Sequence, residues 1–225
     1  ITDDENTAIV NGQAVHRSEF GIDGGIFAAP NNNKIAFYRM DESMVTDYPI
    51  IDWASTPAKN VNIKYPMAGN TSHQVTLGVY DINSQKKTFL NIEGDKEQYL
   101  TAVTWSPDSK YIFVGLLNRD QNHLKMNQYD AVTGNLVKTL FEEKSDKYVA
   151  PQHPLLFFPN SNTDFISQSQ RTGYNHLFHY NLEKGLVAQL TKGDWLVTDV
   201  LGFNEKKKEI YYTSTQETPL ERHLY

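Results

Sequence analysis

Polar and apolar residues alternate along most of the chain in short runs, and the 3.6-residue period of an amphipathic helix never persists beyond two turns. Lys34–Arg39, His73–Tyr80, Thr101–Trp105, Tyr111–Leu117, Lys125–Tyr129, Leu136–Phe141, Asp164–Gln168, His176–Tyr180, Leu186–Leu190 and Glu209–Ser214 each combine β-branched or aromatic residues with alternating polarity. That is the signature of a strand. Short polar turns separate them, among them Pro107-Asp108-Ser109, Asp130-Ala131-Val132-Thr133-Gly134, Pro159-Asn160-Ser161-Asn162 and Lys192-Gly193-Asp194. A parallel sheet would need helical crossovers of about a dozen residues, and no segment reads that way. The pattern predicts an all-β fold of antiparallel sheets.

A repeat emerges when aromatic residues that precede turns are stacked. Thr104-Trp105-Ser106-Pro107-Asp108, Phe157-Phe158-Pro159-Asn160 and Gly202-Phe203-Asn204-Glu205 each lead into a strand, and Phe27-Ala28-Ala29-Pro30-Asn31 is a weaker fourth copy. The spacing of about 50 residues matches one four-stranded propeller blade. The sequence therefore predicts a partial β-propeller of about four blades, each of four antiparallel strands. Asp41–Pro66, with three prolines, reads as an irregular insertion between the second and third strands of a blade. Strand-like sequence at both ends, Thr7–Val10 and Glu221–Tyr225, predicts that residues 1–225 are a fragment of one larger propeller domain. Open sheet edges would make the isolated piece prone to association. Trp105, Tyr111, Phe157, Phe165 and Phe203 are expected between the blades.

Composition narrows the chemistry. The 225 residues, 39% hydrophobic, can bury a sizeable core. The absence of cysteine excludes a disulfide scaffold, a thiolate metal site and a cysteine nucleophile. A net charge of −6 without a basic run favours neither nucleic acid nor an anionic membrane surface. No stretch approaches the ~18 apolar residues of a membrane span.

No Gly-x-Ser-x-Gly elbow occurs, so the chain carries no serine nucleophile of that type. Gly21-Ile22-Asp23-Gly24-Gly25 leads into strand-like sequence and does not read as a phosphate loop. His176 and His179 stand three apart on a strand, on opposite faces, and read as ordinary strand histidines. The acidic pairs Asp41-Glu42 and Glu142-Glu143 and the run Asp3-Asp4-Glu5 read as solvated loop charges. No metal site and no cofactor are expected. His16-Arg17-Ser18-Glu19-Phe20-Gly21, a dense polar cluster between Val15 and Ile22, is less ordinary.

The run Gly12 to Ile22 followed by Ile35 to Val45 resembles the N-terminal propeller domain of the dipeptidyl peptidase IV family, the prolyl oligopeptidase-like serine exopeptidases. Its bacterial members, prolyl tripeptidyl aminopeptidase included, share the pattern most fully. Tyr65-Pro66-Met67-Ala68-Gly69, Asn118-Arg119-Asp120-Gln121-Asn122, Gly173-Tyr174-Asn175-His176-Leu177, Gly193-Asp194-Trp195-Leu196-Val197-Thr198 and Pro219-Leu220-Glu221-Arg222-His223 agree in order, so the resemblance covers essentially the whole chain.

The resemblance implies part of an eight-bladed propeller, with a catalytic α/β-hydrolase domain lying C-terminal and outside these residues. It implies that Glu19 binds the free α-amino group of a peptide substrate, with Ser18 and Arg39 as candidate cavity-lining residues. Ser18 stands where the dipeptidyl peptidase IV pattern has a second glutamate, which leaves release of dipeptides or tripeptides open. The implied substrates are peptides with a free N-terminus and a nearby proline. The implied setting is the periplasm, the cell envelope or secretion, with room for a homodimer of the parent protein. Arg119, Asn122, Asn175 and His176 are expected to satisfy backbone groups at blade turns. The competing reading is a non-catalytic propeller that serves as a protein-binding or glycan-binding platform.

Overall fold

The structure is a computed structural model that describes residues 2–225. Each aromatic-before-turn segment folds as the first hairpin of a sheet. In the first sheet β1 (Ile9–Asn11) and β2 (Ile26–Ala28) both pair with β3 (Lys34–Asp41), β1 along its C-terminal half through Asn11↔Arg39 and β2 along its N-terminal half through Ala28↔Ile35. They form one edge strand split in two. Residues 12–25 leave the sheet between the halves, and this excursion carries the polar cluster.

The first sheet continues through β6 (Gln74–Asp81) to β7 (Lys87–Phe89). Between β3 and β6 the chain forms a separate hairpin, β4 (Asp47–Asp52) with β5 (Lys59–Lys64), in register from Asp47↔Lys64 to Asp52↔Lys59. The insertion therefore lies between the second and third strands as expected. It is not irregular, however: it is a regular two-stranded ribbon whose alternation Pro49 and Pro57 had masked.

The second sheet contains β8 (Tyr99–Trp105), β9 (Tyr111–Leu117), β10 (His123–Asp130) and β11 (Leu136–Lys144). The third contains β12 (Leu156–Phe157), β13 (Asp164–Ser169), β14 (His176–Asn181) and β15 (Gly185–Gln189). The fourth has three strands where four were expected: β16 (Val197–Asn204), β17 (Glu209–Ser214) and β18 (His223–Leu224). All pairings are antiparallel, as in a partial propeller. No helix among the described residues is long and apolar enough to cross a membrane.

The turns follow from their side chains. The Ser106 hydroxyl accepts the Lys110 and Tyr111 N–H groups at 3.1 and 2.9 Å and donates to Asp108 at 2.7 Å, which closes the β8–β9 hairpin. Asp130 accepts the Val132 and Thr133 N–H groups at 2.9 and 2.7 Å. In the same turn Gly134 has φ +75°, and a Cβ there would meet the Phe89 carbonyl oxygen at 2.4 Å. Only glycine lets the first and second sheets approach this closely.

Cores lie between successive sheets. Tyr38 and Leu77 of the first sheet pack with Leu100, Trp105, Ile112 and Val114 of the second. The Tyr38 hydroxyl donates to the Leu100 carbonyl at 2.7 Å, and Trp105 Nε1 donates to the Phe27 carbonyl at 3.0 Å. Phe113 and Met126 pack with Phe165, Phe178 and Tyr180 of the third sheet, with Tyr111 and Phe157 alongside. Ile166 and Leu177 pack with Val197, Phe203 and Tyr212 around the fourth. A strand between two such cores is covered on both faces, which is why β9 reads as a nearly unbroken apolar run. All five aromatics expected between blades lie there.

The adjacent acids are not simply solvated loop charges. Glu143 lies on β11 and receives Arg171 Nη2 at 3.0 Å and the Ser169 hydroxyl at 2.7 Å, joining the second and third sheets. Asp3 and Asp4 pair with Lys87 at 3.0 Å and Arg39 at 2.6 Å, fastening the N-terminal segment to the first sheet.

Candidate functional site

The excursion between β1 and β2 is anchored at both ends by apolar side chains. Val15 and Ile22 enter the core between the first and second sheets, and Phe20 packs against Tyr99, Leu117, Leu124 and Val149. Between the anchors the backbone is left-handed at His16 (φ 51°), Arg17 (59°), Ser18 (59°), Phe20 (54°) and Gly21 (70°). Such conformations cost about 1–2 kcal/mol for each residue with a Cβ and persist only where surrounding contacts impose them.

Those contacts are present. Ser18 N–H donates to the Val15 carbonyl at 3.1 Å, Glu19 N–H to His16 at 3.2 Å and Ile22 N–H to Glu19 at 3.2 Å. The Phe20 carbonyl accepts the Thr101 hydroxyl at 2.6 Å. Gly21 presses on Gln152, where a Cβ would lie 2.1 Å from the carbonyl oxygen. His16 is buried and bonded to His73 and Leu100.

This turn presents Glu19 outward. Its side chain is exposed and enters no ion pair among the described residues. It lines a hollow of about 180 Å³ with His16, Arg17, Tyr65, His73, Tyr99 and Arg119 among the other walls. Both cations are engaged elsewhere. The Arg17 guanidinium lies 4.2 Å over the Tyr65 ring and donates to the Lys64 carbonyl at 3.2 Å. Arg119 donates to the Tyr99 hydroxyl at 2.7 Å. Glu19 is the acid of this hollow, free to take a cation from outside.

Burial, then the neighbouring His73 and Arg119, push the His16 imidazole down to about 3 from an ordinary 6.5. Burial, then Arg119 and Arg17, lower His73 as well, and Glu97 opposes them.

The other residues expected at the site fall differently. Ser18 is exposed and is not part of the hollow's wall. Arg39 is held by Asp4 and lines a separate hollow with Asp3, Thr76 and Lys87, so the structure does not bring it to Glu19. Arg119 bonds a tyrosine hydroxyl and not a backbone turn group, a correction with a simple cause: the β9–β10 turn lies over the start of β8, where Tyr99 sits. Asn122 is likewise not the turn's capping side chain. Asn118 accepts the Asn122 and His123 N–H groups at 3.0 and 2.9 Å.

Asn175 does bond a backbone carbonyl, that of Val197, at 2.9 Å, and His176 Nε2 lies 3.0 Å from the Gly193 carbonyl. His179 pairs instead with Asp164 at 2.8 Å. Sequence reading missed His73, Tyr65 and Tyr99, which reach the hollow from distant elements. Tyr65 did stand in a segment that carried the resemblance.

The family model for the dipeptidyl peptidase IV (DPP IV) N-terminal region matches residues 1–225. This chain belongs to that family. A Bacteroides ovatus protein assigned as a dipeptidyl aminopeptidase IV superposes with a TM-score of 0.90 at 45% identity, covering 94% of this chain and 33% of that one. Porphyromonas gingivalis dipeptidyl peptidase 4 superposes with a TM-score of 0.88 at 25% identity, over 100% of this chain and 32% of the other. The Phaeosphaeria nodorum protein named "Probable dipeptidyl-aminopeptidase B" is 30% identical over 85% of this chain and 24% of its own length. Dipeptidyl aminopeptidase B of Saccharomyces cerevisiae is 27% identical over 100% of this chain and 30% of its own. The chain thus spans between a quarter and a third of these relatives. The DPP IV N-terminal region here is the four-sheet unit that carries the Glu19 turn.

Proposed function

We propose that residues 1–225 are the substrate-gating and N-terminus-anchoring part of the propeller of a serine exopeptidase. The parent releases short Xaa-Pro peptides, two or three residues long, from peptide N-termini. The observation that carries this reading is Glu19: an exposed carboxylate, in no ion pair among the described residues, that lines a hollow from a strained, multiply fastened turn. A carboxylate fixed in place binds an ammonium group in a charge-assisted hydrogen bond and gives nothing comparable to an acylated terminus. The distance from that anchor to a serine nucleophile in a C-terminal hydrolase domain would count the residues removed. Acyl transfer through an acyl-enzyme follows in that domain.

We place the parent in the periplasm, the cell envelope or the secreted fraction, the setting the family resemblance implies. The platform reading draws on the exposed Tyr48, Ile50, Ile51 and Trp53 of the β4–β5 hairpin. We assign that surface to a second copy of the parent: the Asp47–Lys64 ion pair and the Asp52↔Lys59 register pair offset charge within the ribbon, so its exposed apolar residues can meet a like surface.

The test uses the full-length protein and two reporters, Gly-Pro-p-nitroanilide and its Nα-acetyl derivative. The expected result is hydrolysis of the free-amine reporter at least about 100-fold faster in kcat/KM. Equal hydrolysis of the two, or a reading frame without a downstream hydrolase domain, overturns the proposal.

A further inference from the structure

The two buried histidines next to Glu19 have contacts that are consistent with one protonation state. His16 Nε2 accepts the Leu100 N–H at 3.3 Å, so the neutral ring carries its proton on Nδ1. That nitrogen faces His73 Nε2 at 3.1 Å, and the His16 main-chain N–H donates to the same His73 atom at 3.3 Å. His73 Nε2 is therefore a bare acceptor. A proton added there would face two N–H groups, and a proton added to His16 Nε2 would face the Leu100 N–H. The joint holds only while both rings are neutral.

The joint also spans three parts of the chain. His16 opens the left-handed run, His73 precedes β6 of the first sheet, and Leu100 lies in β8 of the second. The run ends at Ser18, and the next residue, Glu19, donates its N–H back to the His16 carbonyl. His16, Arg17 and Ser18, all in the left-handed region, are the link between the His16 ring and Glu19.

We propose that the His16–His73 pair is the positioning device that holds Glu19 at the hollow, and that protonation of the pair releases the turn. This rests on the reading of Glu19 as the amine anchor. The charged groups around the pair are Arg17 on the turn itself, Arg119 from the β9–β10 turn, Glu19, and Glu97, which accepts the Ser72 N–H at 3.0 Å. The Tyr99 ring packs 5.0 Å from His16. Burial and Arg119 oppose protonation of both rings, Arg17 opposes it at His73, and Glu97 favours it there.

The test uses the full-length enzyme with the variants His73→Gln, His73→Phe and Glu19→Gln. Glutamine keeps an acceptor for His16 and cannot titrate; phenylalanine removes the acceptor. Two quantities are read: KM and kcat on Gly-Pro-p-nitroanilide between about pH 7.5 and about pH 4.5, and hydrogen exchange of residues 15–22 by mass spectrometry. The expected result for His73→Phe is a KM raised about tenfold, a kcat within about twofold, and faster exchange across the segment. His73→Gln should retain the wild-type KM at the upper pH. The wild-type KM should then climb more steeply than that of His73→Gln below about pH 6.5, the ordinary imidazole value from which burial and Arg119 lower both rings.

Unchanged exchange in His73→Phe, or parallel KM profiles for wild type and His73→Gln, overturns the proposal. If His73→Phe does not fold, the pH profile of His73→Gln decides alone. If Glu19→Gln leaves KM unchanged while His73→Phe loosens the segment, the histidines hold the turn and the amine-anchoring reading falls.

Discussion

Gly21 shows how the turn depends on single atoms. Its φ of +70° is unfavourable for any residue with a Cβ, and that Cβ would lie 2.1 Å from the Gln152 carbonyl oxygen. Gly21→Ala should lower stability by about 1–3 kcal/mol, read as a fall in thermal midpoint. Gly24→Ala is the control, because nothing lies within 4 Å of its would-be Cβ. The histidine pair sets a pH dependence on the same scale. His16 is held near 3 in the folded chain against 6.5 unfolded, so the unfolded chain binds the extra proton first. This contribution is complete above about pH 6.5 and is lost as pH falls toward 3. The thermal midpoint should decline over that window, less steeply in His73→Gln.

Among the elements, the inter-sheet aromatics carry the stability. Phe165 is 1% exposed, with Phe157 at 5.5 Å and Tyr180 stacked at 5.6 Å between ring centroids. Phe165→Ala should cost about 3–5 kcal/mol in denaturant unfolding, whereas Leu186→Ala on the exposed β15 should stay within about 0.5 kcal/mol. These aromatics are also why the fold was legible: β9 and β17 begin and end at the residues read from the sequence, and β13 runs one residue further, to Ser169. Among the elements that escaped reading, β7 and β12 are too short to show a period, β4 carries a proline, and β16 is broken by register shifts between Val197 and Asp199 and between Val200 and Gly202. The split edge strand that displays Glu19 was not legible, because β1 and β2 share a partner only in three dimensions. Glu19 itself was found by resemblance. His73 and Leu100 lie 57 and 84 residues from His16, so only the packing of the first sheet on the second reveals their joint.

At the scale of the whole molecule, the apolar surfaces that face outward include the β4–β5 hairpin and, on the fourth sheet, Leu201, Tyr211 and Leu224. Residues 1–225 alone should associate with rising concentration in sedimentation velocity; a monomer with one cooperative melt would contradict this. In the full-length protein Trp53→Glu should dissociate a dimer without changing the thermal midpoint of the propeller. A wild-type parent that is already monomeric would remove the hairpin's assigned partner. The central claim remains the anchoring role of one carboxylate. Its most direct test is kcat/KM of full-length Glu19→Gln on free-amine Gly-Pro and X-X-Pro reporters. The account predicts a loss of at least about 100-fold, since an ammonium would be left facing a neutral amide. A value within about twofold of wild type would contradict it.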